Sequence, residues 1–380
     1  MSHRDERRDV IVVGVGGMGS ATAYHLASRG VDVLGLERFD IPHTQGSSHG
    51  ITRIIRRAYY EHPSYIPLIE RAYELWDDLA EETGREVIHR TGSIDAGPQG
   101  NVVFEGSRRS CEEHDIPHEV LTGAELNERF PGYNLPDDYR ALYQEDGGFV
   151  VPEQSIVGHT EAAQAAGAEI RAREGVHDWA PTPDGGVRVW TDTDTYEADR
   201  LVLAAGAWNY KLADALDGLA VPERQVLAWF QPETPELFEP DSLPVWNIAV
   251  PEGRFYGLPI YDVPGFKLGK YHHLGEAVNP DSYDTDPQPA DEVLLRDFTE
   301  KYFPKAAGPT MRLATCMFTN SPDEHFILDQ LPDHPQVVVG AGFSGHGFKF
   351  ATVIGEVLAD LAADGETAHP IDMFSLDRFE

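Results

Sequence analysis

Three glycines, one acid and a short arginine cluster are the first residues in the chain whose types and spacing point to chemistry. Gly14-Val-Gly16-Gly-Met-Gly19 fits the pattern G-x-G-x-x-G. The first glycine permits a tight turn, the second lets backbone approach a pyrophosphate, and the third lets a helix pack on a strand. Glu37 is placed to accept hydrogen bonds from a ribose. Together they predict a dinucleotide site. A glycine-rich turn without a ligand would satisfy the pattern alone, so its weight comes from the surrounding elements. Arg53, Arg56 and Arg57 follow closely, and in so acidic a chain a cationic loop is expected to meet an anion rather than water. Lysine is scarce: Lys211, Lys267, Lys270, Lys301, Lys305 and Lys349 are all there are. Two cysteines, Cys111 and Cys316, rule out a four-cysteine zinc site, and with no export signal they make a disulfide framework unexpected. A lone cysteine ordinarily packs as a small hydrophobe, which is the reading for Cys111. No ligand cluster argues for a metal.

The elements that would position these residues are legible. Asp9-Val-Ile-Val-Val-Gly14 is a short β-branched run of the kind buried on both faces of a parallel sheet. Ser20 to Arg29 reads as a helix capped by Gly30, and Val31 to Leu36 as a second strand ending at Glu37. Pro63 to Thr83 carries an apolar stripe at helical spacing and is predicted as one long helix stopped by Gly84. Pro152 to Ala166 is helix and Ala168 to Arg171 strand. Leu201 to Gly206 and Val337 to Gly342 are further buried strands running into glycine, and Ala351 to Ala362 is a last helix. The glycine motif alone does not choose FAD over NAD. A strand running into Gly206, as where flavoproteins return beneath the cofactor, and a loop with Gly345 and Gly347 before the final helix favour FAD. The N–H groups and helix dipole of that loop suit negative charge on a reduced ring.

Strands of the parallel type thus occur at the start, middle and end, separated by stretches that read as antiparallel sheet with helices. The expected fold class is α/β: a Rossmann-like FAD-binding domain (1–86, 149–216 and 321–380) interrupted by an α+β substrate domain with a mixed or antiparallel sheet (87–148 and 217–320). A chain of 380 residues suits two such domains. No run of eighteen apolar residues is present, so no membrane span is expected. Met1 to Asp9 is polar and charged, which reads as cytoplasmic rather than exported. The balance of 64 acidic against 30 basic residues gives a net charge of −34, spread along the chain. Such a surface repels nucleic acid and anionic membranes. Dispersed acid with little lysine resembles proteins of salt-loving organisms, where counterions screen the self-repulsion; the alternative is an ordinary acidic protein.

Several stretches carry a resemblance to a known family: Pro42 to Gly50, Thr52-Arg-Ile-Ile-Arg-Arg-Ala-Tyr59, Phe266-Lys-Leu-Gly269, Arg312-Leu-Ala-Thr-Cys-Met317 and Gly342-Phe-Ser-Gly-His-Gly-Phe-Lys349. The chain resembles the FAD-dependent D-amino-acid-oxidase superfamily and, within it, the sarcosine oxidase and N-methyltryptophan oxidase group. The resemblance implies that Cys316 carries FAD through a thioether, with His49 and Arg53 beside the ring assisting attachment. It implies that Arg56 and Lys349 grip the substrate carboxylate, that Lys267 serves oxygen near the flavin, and that Tyr59 and His272 line the substrate cavity. Two departures stand out. Phe318 occupies a place where the family's sarcosine oxidases usually have tyrosine, and an apparent insertion at Lys270 leaves open whether His272 or His273 faces the cavity. Loss of a hydroxyl favours larger or more apolar amines.

The implied reaction is oxidation of the C–N bond of a secondary amino acid, N-methyl or cyclic, to an imine and then an aldehyde, with hydrogen peroxide released. Its partners are a small amino acid and molecular oxygen, and the expected state is a monomer. The alternatives are a dehydrogenase of the same fold using another electron acceptor, an NAD-dependent enzyme, and a non-catalytic flavin-binding subunit.

Overall fold

The computed structural model describes residues 7–379. Most of Met1 to Asp9, on which the reading of a cytoplasmic N-terminus rests, lies outside the described residues. No helix among them is long and apolar enough to cross a membrane.

The α/β expectation holds. β1 (Arg8–Val13), the helix α1 (Gly17–Ser28) and β2 (Val33–Leu36) form the first unit. β1 lies between β2 and the strand Thr195–Leu203, parallel to both, with Val12 opposite Gly35 on one side and Val202 on the other. The strand His334–Ala341 extends the parallel order beyond Thr195–Leu203, and Glu169–Arg171 extends it beyond β2. Antiparallel strands complete an eight-stranded sheet. Valine, isoleucine and leucine fill its centre because helices cover one face and short turns the other. α1 packs against the helices Pro152–Ala165 and Ala351–Ala363. A Cβ at Gly355 would lie 2.4 Å from that of Ala21, so glycine is what lets the last helix come so close.

Two boundaries differ from the sequence reading for physical reasons. α1 begins at Gly17, not Ser20, so the second half of the glycine motif forms the helix's first turn, whose N–H groups lack intrahelical partners; that of Gly17 donates to Ser48 Oγ at 3.3 Å. The expected helix Pro63–Thr83 opens as a 3-10 turn, Pro63–Tyr65, with the His62 ring accepting from the Ser64 N–H at 3.2 Å. It becomes α-helical over Ile66–Thr83 and ends at Gly84 with φ 65°.

A second eight-stranded sheet draws its strands from 93–144 and 221–320. Its order runs from Thr310–Asn320 through Val221–Phe230, Phe266–Lys270, Gly253–Leu258 and Val245–Val250 to three earlier strands. All its pairs are antiparallel except Val245–Val250 with Ser93–Gly97. The helix Pro289–Tyr302 and Phe303 just after it seal its core through stacked rings, Phe255 on Phe298 at 3.9 Å and Trp246 on Phe303 at 4.6 Å. A small three-stranded sheet containing Arg53–Ile55 stands beside the two large ones and fixes the arginine segment.

Candidate active site

A cavity of about 380 Å³ runs from the tip of the glycine turn to the second sheet. That volume falls in the range of cofactor and ligand sites. Gly14 has φ 87°, and a Cβ there would stand 2.7 Å from the Ala204 carbonyl oxygen. A Cβ at Gly19 would collide with the Gly14 carbonyl oxygen at 1.7 Å. Gly16 faces open space, with Ser48 Oγ the nearest atom at 3.9 Å, so a phosphate can approach its backbone. Glu37 lines the cavity at the end of β2, its carboxylate accepting from the Val15 and Phe39 N–H groups at 2.9 Å each. Gly206, Gly345 and Gly347 line the same space. At Gly345 a Cβ would meet the Phe318 ring at 2.4 Å, which ties that glycine to the aromatic wall opposite.

The second sheet supplies Cys316, buried at 2% exposure on the strand Thr310–Asn320 and lining the cavity. Burial pushes its thiol above the usual range, while Arg53 and Lys267 pull the other way. Arg53 also lines the cavity, its guanidinium donating to the Ser47 and Thr52 carbonyls at 3.0 and 2.9 Å. His49 lies behind this wall, with Nε2 buried and unpartnered. Burial and the charge of Arg53 push it down to about 3, so it is neutral. Lys267 is buried one layer behind Thr52. Its Nζ donates to the Gly50 carbonyl at 2.7 Å, the Thr52 carbonyl at 2.6 Å and Thr52 Oγ1 at 3.0 Å. Burial, then the charge of Arg53, pushes it well below the usual lysine value.

Arg56 and Lys349 meet at the far end of the cavity, and both are buried. Arg56 lies between the Tyr59 and Tyr60 rings, 4.6 and 4.3 Å from their centres. Its Nη2 donates to both oxygens of Glu61 at 3.0 and 2.9 Å, Asp95 stands 3.7 Å away, and its Nε has no partner. Lys349 Nζ donates to the His346 carbonyl at 2.8 Å. Burial and the nearby Arg56 push the Lys349 ammonium down to about 7. Burial opposes ionisation of Glu61, but Arg56 together with His346, Lys349 and Arg254 outweighs it and holds the carboxyl down to about 2.

Two expected cavity residues are placed elsewhere. Tyr59 is fully buried behind Arg56 and bonds the His346 ring at 2.6 Å. The expectation for His272 is corrected: it has φ 54° and turns to Glu223 and Glu324 at 3.1 and 3.0 Å, half-exposed. Nor does His273 take the place, since its ring is buried on Asp291 at 2.8 Å. Tyr271 lines the cavity instead, with Tyr256 and Phe318 at centroid distances of 5.4 and 5.7 Å. Sequence reasoning also missed Glu61, Asp95, Asn247 and His346. Asn247 lines the cavity and donates to Asp95 at 2.9 Å, while Ser107 donates to the other oxygen at 2.7 Å. The spacing Arg56-x₄-Glu61 was the one local signal for any of them.

A family model described as FAD dependent oxidoreductase matches residues 9–361. The chain belongs to that family. Within it, the chain groups with the monomeric sarcosine oxidases and N-methyl-L-tryptophan oxidases. It is 42% identical over 375 residues to the monomeric sarcosine oxidase of Bacillus sp. (strain B-0618), covering 97% of this chain and 96% of that protein. It is 35% identical over 375 residues to the N-methyl-L-tryptophan oxidase of Yersinia pestis (strain Pestoides F), covering 98% and 99%. Among solved structures, NikD, an amino acid oxidase essential for nikkomycin biosynthesis, superposes with a TM-score of 0.84 at 28% identity over 98% of each chain. This FAD dependent oxidoreductase carries residues that fit its cofactor: an open cradle at Gly16, a helix N-terminus beside it, and Glu37 at the strand end.

Proposed function

We propose that this enzyme oxidises the C–N bond of a small secondary amino acid, N-methyl or cyclic, and passes the electrons to oxygen. The observation that carries the reading is the buried pair at the far end of the cavity. Arg56 has an unpartnered Nε, and Lys349 spends one of its three N–H bonds on protein among the described residues. Unsatisfied buried donors of that kind call for an anion, and a carboxylate suits the free Nε edge of Arg56 together with the Lys349 point charge. The FAD would supply the two-electron acceptor.

Arg56 and Lys349 hold the carboxylate, and so fix which carbon faces the cavity. Glu61 and the ring pair Tyr59 and Tyr60 hold Arg56 in place, so the clamp is formed before substrate arrives. Tyr256, Tyr271 and Phe318 provide an apolar wall for the N-alkyl group. Phe318 removes a hydroxyl there, which favours amines larger or more apolar than sarcosine. Lys267 would supply positive charge behind Thr52 for the oxygen step; Arg53 would stand beside the ring with His49 behind it, and Cys316 would hold it through sulfur. Residues 1–86, 149–216 and 321–380 serve as the cofactor-binding unit and 87–148 with 217–320 as the substrate unit. The chain acts as a monomer, and its acidity suits a salt-rich cytoplasm.

The test is hydrogen peroxide release across a panel of N-methyl, cyclic and primary amino acids, in high salt. Peroxide from secondary amino acids, lost in Lys349→Ala, is the expected result. Flavin bleached anaerobically without peroxide in air would replace the oxidase by a dehydrogenase. Flavin that no amine bleaches would overturn the reading.

A further inference from the structure

A segment of the second sheet's loop region crosses to the nucleotide-binding side and closes the cavity there. It leaves the strand Phe266–Lys270 and returns at the helix Pro289–Tyr302. Its base is fixed. Arg224 donates to both oxygens of Asp291 at 3.0 and 2.7 Å and to the Asp284 and Asp286 carbonyls at 3.2 Å each. Backbone bonds from Arg224 to Glu276 and from Val278 to Pro222, both 2.9 Å, tie the rising arm to the neighbouring strand. Thr315, next to Cys316, donates to the Thr285 carbonyl at 2.8 Å and holds the returning arm.

The tip is held differently, by side chains of the other sheet's connections alone. Asp281 accepts from Arg38 at 2.7 Å and from Trp208 Nε1 at 2.8 Å, and it also pairs with Lys211. Lys211 donates as well to Asn279 at 2.9 Å. Arg38, Trp208, Lys211 and Asp281 all line the cavity. Arg38 follows Glu37, so the contact sits where the ribose end of a dinucleotide is expected. Side-chain exposures of 49% for Arg38, 36% for Asp281 and 30% for Lys211 place the cluster at the mouth, where water and salt reach it.

We propose that residues 272–288 are the door of the cofactor cavity, hinged on Arg224 and Asp291 and latched by Asp281 on Arg38, Trp208 and Lys211. FAD enters when the latch opens, and the closed latch retains the adenylate end, so that without the thioether the latch sets how fast FAD leaves. The base persists during opening because its charge pair is buried and reinforced by backbone bonds. The tip opens because its bonds are few, half-exposed and screened by salt. Asp281 is thus a positioning residue that acts through Arg38 and Lys211.

The experiment measures flavin release by fluorescence from holoenzyme carrying Cys316→Ser, so that no thioether holds the cofactor, with and without Asp281→Asn. Apo-protein melting in both backgrounds checks that the fold is intact. The expected result is release about tenfold faster in Asp281→Asn at low salt, about 1.4 kcal/mol. Raising NaCl should accelerate release in the Cys316→Ser parent and leave Asp281→Asn nearly unchanged. Equal release rates overturn the proposal. Faster release with an unchanged salt response also overturns it, because that is general loosening rather than loss of an ionic latch. Arg38→Gln, which removes the partner and keeps Asp281, should reproduce the Asp281→Asn result; parental behaviour would overturn the latch.

Discussion

Lys349 is the half of the clamp that titrates near neutrality. Burial and Arg56 push its ammonium down to about 7, against the pull of Glu61 and Asp95. His346 is held down to about 4 by burial, Glu61 sits at about 2, and burial raises the Tyr59 hydroxyl well above its usual value. The charged form of Lys349 exists below about pH 7 and is lost above it, so a carboxylate should bind tightly in acid and weakly in base. Binding should also take up a proton above pH 7, since the carboxylate favours the ammonium. With affinity tied to that ammonium, the limiting slope is tenfold in Kd per pH unit, reaching about a hundredfold at pH 9, or about 2.7 kcal/mol. The assay is titration of the flavin absorbance with acetate, which has no amine to titrate, at constant ionic strength. Lys349→Arg, whose charge is fixed, should bind acetate with little pH dependence, and Lys349→Met should bind it weakly at every pH. A flat wild-type Kd from about pH 6 to 9, or the same slope in Lys349→Met, would refute the reasoning.

Three further outcomes are expected. Arg56→Met leaves Glu61 and Asp95 buried without their cation, so chemical denaturation should show a loss of about 3–5 kcal/mol; an unchanged midpoint would contradict the pairing. Acid precipitation of the holoenzyme should leave yellow flavin in the pellet, while Cys316→Ser should release it to the supernatant; release from both would mean that no thioether forms. His272 is raised to about 9 by the hydrogen bonds its ring donates to Glu223 and Glu324. Its stabilising contribution is therefore complete below about pH 6.5 and lost as pH rises through 9. Water screening limits it to about 1 kcal/mol, so His272→Asn should melt earlier than wild type at pH 6 and equally at pH 10.

The parallel strands and their helices were legible because burial on both faces leaves a continuous apolar run, and glycine marks where each run must turn. Asp9-Val-Ile-Val-Val-Gly14 and Val337-Val-Val-Gly-Ala-Gly342 needed no tertiary information to be read. The start of α1 was misplaced because two glycines and a methionine look like loop. They are helical because Gly17 and Gly19 pack where a side chain could not. Arg56 was legible from its cationic neighbours, but Asp95 and Asn247 were not. They belong to strands 152 residues apart that meet only in the folded sheet.

The placing of Tyr271 is a matter of strand parity that could have been argued beforehand. Lys267 and Lys270 bound one run of the strand Phe266–Lys270, and side chains two apart share a face. In the sheet, Lys267 stands opposite Leu258 and Gly269 opposite Tyr256, and both Leu258 and Tyr256 line the cavity. Positions 267, 269 and 271 therefore share one side, and His272, past the strand's end at φ 54°, turns away from it. An ionisable ring was the natural residue to place in an active site, but a residue's type does not choose its face. Here the backbone period puts an aromatic ring over the cavity, and the turn that follows sends the histidine to Glu223 and Glu324.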